Sequence, residues 1–242
     1  VGIYDLRIQI NGRLQMSLVI FGNGSIAELA RYYFEQDGNH KVVAFTVDGK
    51  FLEDNTFDSK PLIPFEDIVS KYPPEDFRVF VALGYSKLNT VREQKYKTVK
   101  QLRYEMPSHV SESAIVASNV SIGENCLVLE NQTVQPFCKI GDNVTLWSGN
   151  HIGHHSTISS HSFISSHVVI SGHCSIGKRS FIGVNATVRD QVLIGDDVFV
   201  GMGASVGNNV PNGGMVITET DKVFEADNRK TVALKRAYLA NR

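Results

Sequence analysis

Six of the eight histidines of this 242-residue chain fall between Gly149 and Gly177, in "GNHIGHHSTISSHSFISSHVVISGHCSIG". Imidazole is the side chain that exchanges a proton most readily near neutral pH, and it is a common metal ligand. The stretch therefore raises three readings: a metal site, a catalytic base, or a repeat in which histidine is filler. A second candidate lies near the start. Gly22-Asn23-Gly24-Ser25-Ile26-Ala27 follows an apolar run and opens a helical pattern. That is the arrangement of a turn whose backbone N–H groups receive phosphate. It lacks the full G-x-G-x-x-G, although Ala is an accepted third residue. Asp48 ends the next apolar run, and Gly84-Tyr85 follows a third.

The elements that must position these residues have two grammars. Residues 16–106 alternate strands and helices: "SLVIF", then a helix over "IAELARYYFEQDG", then "KVVAFTVD", a short helix in "PFEDIVSKYPP", "RVFVALG", and a helix beginning in "SKLNTVREQKYKTVKQLRY". This order predicts a small parallel, Rossmann-like βαβ sheet. From Met106 the period becomes six. Every sixth residue from Val110 to Val206, seventeen in all, is Val, Ile or Leu. Four residues later the positions are mostly small or β-branched, and Cys126, Cys138 and Cys174 all occupy them. The pattern is that of a hexapeptide β-helix, in which stacked coils bury an aliphatic ladder. The cysteines are then core filler. The expected organisation is an α/β domain over 16–106, a parallel β-helix over 107–213, and an extension over 214–242 whose Asp227–Leu239 pattern predicts a short helix. Residues 1–15 precede Met16 and are expected to be an appended or upstream segment.

Net charge is −1, which gives no reason to expect nucleic acid as a partner. No apolar run is long enough to cross a bilayer, so no membrane insertion is expected. Three scattered cysteines do not make a disulfide framework, and a reducing, cytoplasmic setting is expected.

The uninterrupted array resembles the left-handed β-helix acyltransferases. The motifs "LVIFGNGSIA", "VFVALGYSKLN", "SNVSIGENC", "GNHIGHHSTI" and "GHCSIGKRSFIGVNATV" narrow the likeness to the sialic acid O-acetyltransferase group. Within that group it is similar to bacterial N-acetyltransferases of nucleotide-linked amino dideoxy sugars. The resemblance implies three hexapeptides per triangular coil, acetyl-CoA as co-substrate, a homotrimer with active sites between prisms, and a role in surface glycan synthesis. It implies that Gly22, Gly24, Ser25, Ile26 and Asp48, closed by Gly84 and Tyr85, hold the nucleotide of a sugar and not a redox cofactor.

His154 falls on the catalytic base of that family, with Gly172 near the acetyl carbonyl. Coenzyme A would follow Gly183, Val184, Asn185, Gly201 and Met202, with Lys178 as a phosphate partner. Two departures stand out. Relatives can place Glu directly after the base, where this chain has His155. They can carry a histidine near the cofactor at the position of Phe163.

By their place in the hexad, His155, His161, His167 and His173 are periodic corner residues. His155, His161 and His167 fall on three different corners, so they cannot surround one metal ion within a subunit. No metal is expected. His167 and then His155 are the alternative catalytic bases after His154, and Trp147, at an outward position, is expected at a subunit contact or a ligand wall. Three functions stay open: amino-sugar N-acetyltransfer, sugar O-acetyltransfer with the same base, and a non-catalytic trimeric scaffold.

Overall fold

A computed structural model describes residues 9, 10, 13, 14, 16–36, 38–219 and 229. The proposed C-terminal helix and most of residues 1–15 lie outside these. The α/β part is a five-stranded sheet. β1 (Met16–Phe21) lies between β2 (His40–Val47) and β5 (Arg78–Val81), all parallel. β2 is followed outward by β4 (Lys60–Pro64), with β3 (Thr56–Phe57) antiparallel at the edge. The β3–β4 hairpin has no counterpart in the sequence reading; its strands are short and interrupted by Pro61, Pro64 and charge.

Between them run α1 (Ser25–Gln36), α2 (Ile68–Lys71) and α3 (Thr90–Gln101). α1 buries Ala27, Ala30 and Phe34, one face of its 3.6-residue period. α3 starts four residues later than the pattern beginning at Ser86 suggests. Lys87, Leu88 and Asn89 all take positive φ and hold the chain out of a right-handed helix.

The remainder is a left-handed parallel β-helix. Its two-residue strands form three sheets. The first face runs from His109–Val110 to Met215–Val216 in seven strands. The second has six strands, from Ile115–Val116 to Ser205–Val206. The third has five, from Ser121–Ile122 to Leu193–Ile194. Partners in each sheet are eighteen residues apart through most of the stack, as in Leu127 with Thr145 or His151 with Val169. Three hexads therefore complete one turn. Each strand up to Val206 ends on the aliphatic residue of its hexad, and those from Val128 to Val206 are buried in one continuous core. After Val206 the beat lapses, and the last strand begins nine residues later at Met215.

The corners explain the histidines. Every sixth residue from Asn125 to Gly203 has positive φ, His155, His161, His167 and His173 among them. Asn, Asp, His and Gly tolerate this left-handed conformation better than most residues. The three cysteines are free and buried at the neighbouring inward position. Burial pushes the Cys126 thiol up to about 11, which keeps it protonated and inert.

The α/β unit is seated on the first face. Leu127, Leu129 and Trp147 join the core formed by Leu18, Ile20, Phe34 and Phe80. Asn125 closes the outer edge of β5, accepting from Val81 N at 2.8 Å and donating to Val81 O at 3.3 Å. Arg92 of α3 is completely buried at the corner between the third and first faces. Its guanidinium donates to Asn143 O, to His161 O at 3.0 Å, to Ser162 O at 3.2 Å and to Asn89 Oδ1 at 2.8 Å. Burial lowers its pKa to about 10, so it still carries its charge at neutral pH, balanced here by carbonyl dipoles. At the opposite margin of the same face, Tyr33 of α1 donates to Glu130 at 2.9 Å. The α/β unit thus grips the first face at both of its corners.

Candidate active site

Residues 154, 172 and 190 occupy the same place on successive coils, at the corner between the second and third faces. His154 is exposed there. Its backbone N donates to Gln135 Oε1 at 2.9 Å, which pins the residue one coil below. Its imidazole lies over Gly172. A Cβ on residue 172 would come within 2.8 Å of His154 Cε1 and 2.9 Å of Nε2, and 3.0 Å from Asp190 Oδ1. A side chain on residue 172 would fill the gap between the imidazole and the carboxylate and push the His154 ring aside.

His154 Nδ1 lies 3.1 Å from His155 Nδ1. One of the two nitrogens carries the proton. When it is His154, the lone pair of its Nε2 is left to accept a proton over Gly172. His155 is thus the residue in hydrogen-bond contact with the inner nitrogen of the His154 ring. The His155 ring is itself fixed by stacking, against Phe137 at 4.6 Å and against His173 at 4.8 Å. His154 stands perpendicular to both, 5.3 Å from His155 and 5.0 Å from His173.

The reading of the histidines by corner holds for His155, His161 and His167, which do occupy three separate corners. The imidazoles that converge are a different set. His154, His155 and His173 bring ligand nitrogens within 4.8 Å of one another. His167 stands at the corner of the first and second faces, away from His154, and is removed from the His154 site of its own chain. His161 is buried beside Tyr96 and Glu93, accepting from Asn143 Nδ2 at Nδ1, and burial lowers its pKa to about 4.

The nucleotide turn lies elsewhere. At the carboxyl ends of β1, β2 and β5, where the strand order reverses, a cavity of about 350 Å³ is lined by Phe21, Gly22, Asn23, Asp48, Leu83 and Lys95, among others. This is where open parallel sheets receive ligands. Gly22 has φ +136°, and a Cβ there would lie 2.7 Å from Ala82 O, so only glycine allows β1 to turn so tightly beside β5. Of the seven expected nucleotide residues, Gly22 and Asp48 line the cavity. Gly24, Ser25 and Ile26 form the entry to α1, and Gly84 packs against Ile26. Tyr85 points instead onto the β-helix, 5.1 Å from Phe163 and 4.5 Å from Phe181. Lys95, which pairs with Asp48, went unnoticed in the sequence because it belongs to α3, far along the chain.

The expected coenzyme residues divide among four places. Val184, Asn185, Gly201 and Met202 line a groove of about 610 Å³ at the corner of the first and second faces, with Ile217 and Thr218. Gly183 packs beneath it, near Met202 N. Lys178 is exposed at the corner of the third and first faces. Gly172 is with His154. Phe163 is buried on the first face under Trp147 and Tyr85. Trp147 is half-buried and packs against the seam between the two halves of the chain.

The model of the bacterial transferase hexapeptide (six repeats) matches residues 137–172 and 173–209. No curated protein matches the sequence. The fold is shared with several solved structures. The acetyltransferase domain of PglB from Neisseria gonorrhoeae is 24% identical, with a TM-score of 0.75 over 83% of this chain and 96% of that one. PerB from Caulobacter crescentus, solved with CoA and GDP-perosamine, is 24% identical, with a TM-score of 0.74 over 82% and 92%. WeeI from Acinetobacter baumannii is 21% identical, with a TM-score of 0.71 over 84% and 97%. Among the described residues no helix is long and apolar enough to cross a membrane.

Proposed function

We propose that this protein is an acetyl-CoA-dependent N-acetyltransferase whose acceptor is a nucleotide-linked amino sugar, with His154 as general base. The observation that carries the reading is the His154–His155 pair held over Gly172 on a hexapeptide β-helix. The cavity at the sheet's switch point supports the acceptor class, and the PglB and PerB folds support the reaction class.

The acceptor amine attacks the thioester carbonyl carbon while His154 Nε2 takes a proton from the nitrogen. The carbon becomes tetrahedral and its oxygen negative, a charge that backbone N–H donors near Gly172 are suited to hold. Collapse breaks the carbon–sulfur bond, and the imidazolium returns the proton to the departing thiolate. His155 accepts from His154 Nδ1 throughout, so the ring stays in the tautomer that bares Nε2.

The reading requires more than one copy. The nucleotide cavity belongs to the unit seated on the first face, and His154 stands at the corner opposite that face. One prism cannot bring its own two halves together. A cyclic assembly, most simply a trimer, can set the His154 corner of one copy against the first face and the 184–202 groove of the next. The direct test is thiol release from acetyl-CoA with UDP-, dTDP- and GDP-linked amino sugars. Release with a hydroxylated sugar and with none of the amino sugars would replace N-transfer by O-transfer.

A further inference from the structure

We infer that His154, His155 and His173 form a binding site for a borderline divalent metal ion of the Zn²⁺ class, and that its occupancy silences the base. The silencing rests on the proposed role of His154; the binding does not.

Three exposed imidazoles bring ligand nitrogens within 4.8 Å of one another. Two of them, His154 Nδ1 and His155 Nδ1, are already 3.1 Å apart. That is close to the separation of two nitrogens sharing a zinc ion, about 3.3 Å for metal–nitrogen bonds of roughly 2.0–2.1 Å in a tetrahedron. His173 needs the larger adjustment. Its ring is stacked at 13° on His155, and parallel rings cannot both aim at one ion. Turning the exposed His173 ring out of the stack supplies the third nitrogen. An all-imidazole set suits Zn²⁺, Cu²⁺ or Ni²⁺ and is a poor site for Mg²⁺ or Ca²⁺, which take oxygen. Three protein ligands leave the fourth position to water.

The arrangement arises because the chain departs once from a plain corner. The hexad puts His155 and His173 in one column, and His154 adds a third ring beside them. A metal on Nδ1 of His154 displaces the proton shared with His155. In the neutral ring that proton moves to Nε2, the atom that must be bare to act as base. Metal and proton compete for the same lone pairs, so affinity falls as the solution is acidified.

The test is equilibrium dialysis of the whole protein against Zn²⁺, with acetyl transfer measured in parallel. The variant is His173→Asn, since asparagine keeps the left-handed backbone found at residue 173. The expected result is one Zn²⁺ per chain, affinity reduced at least tenfold in His173→Asn, and no comparable binding of Mg²⁺. Zn²⁺ should inhibit transfer, a chelator should restore it, and His173→Asn should need correspondingly more Zn²⁺ for the same fractional loss of its own metal-free rate. Equal Zn²⁺ affinity in the two proteins would overturn the site. Zn²⁺ bound as expected without effect on transfer would leave the site standing and remove His154 from the role of base.

Discussion

His154 lies over the Cα of Gly172 so closely that one added carbon on residue 172 would meet its ring at 2.8 Å and the Asp190 carboxylate at 3.0 Å. The missing side chain is thus part of the site. Gly172→Ala should displace the imidazole and lower kcat well below the wild-type value, with little change in melting temperature because the groups that must move, the His154 ring and the Asp190 carboxylate, are exposed. A melting temperature that fell as steeply as the rate would show that Gly172 serves the coil instead.

Removing the proposed base should cost more. His154→Ala is expected to lower kcat by about a hundredfold to ten-thousandfold, the usual contribution of a positioned base. His155→Asn, which keeps a residue that accepts the left-handed backbone, should fall between wild type and His154→Ala. Steady-state kinetics on both proteins measure it, and a His154→Ala enzyme with full kcat removes the assignment.

The opposed positions of the cavity and His154 make complementation the sharpest check on assembly. An Asp48→Ala chain and a His154→Ala chain should each be weak at low acceptor concentration. Co-expressed in equal amounts, they should recover roughly a quarter of wild-type sites, half times half, in a cyclic oligomer. No recovery in a demonstrably mixed oligomer would place each site within one chain.

Arg92 holds the seam between the two units with a buried charge and no carboxylate. Arg92→Met leaves the Asn143, His161 and Ser162 carbonyls without that donor. It should destabilise the protein by about 2–4 kcal/mol, read from denaturant midpoints. A change under about 0.5 kcal/mol would show that apolar packing alone secures the seam.

His161 gives the pH dependence its sign. Its pKa is about 4 when folded, below the ordinary histidine value of 6.5, so the unfolded chain binds the extra proton first as pH falls. Stability is highest above about pH 6.5 and declines toward pH 4, by at most about 1.4 kcal/mol per pH unit from this group. His161→Asn should flatten the decline between pH 6.5 and 5, above the range in which the lowered carboxylates Glu93 and Asp197 titrate. Melting curves across that window test it, and an unchanged slope would assign the decline to other groups.

The β-helix was legible because one physical demand repeats. Each of the residues from Val128 to Val206 on the six-residue beat must point inward, and each does. His155 and His173 stack as their spacing of three hexads requires. What the beat does not convey is which neighbours become chemistry. Asp190 is two coils from His154, and its sequence neighbours Arg189 and Gln191 mark an ordinary polar corner. Its nearness to His154 is visible only once eighteen residues are counted per turn. Arg92 and Lys95 escaped notice for another reason. On a helix with many charges, nothing local distinguishes a guanidinium that will be buried under a foreign domain from one left in water.

Counting in coils also sets what the architecture can absorb. Deleting eighteen residues within the stack returns every later strand to its own face, so the scaffold shortens and stays in frame. Deleting six keeps the aliphatic ladder unbroken and carries everything beyond it one face around the axis. The molecule has two reading frames, six for folding and eighteen for function, and a change silent in the first can erase the second.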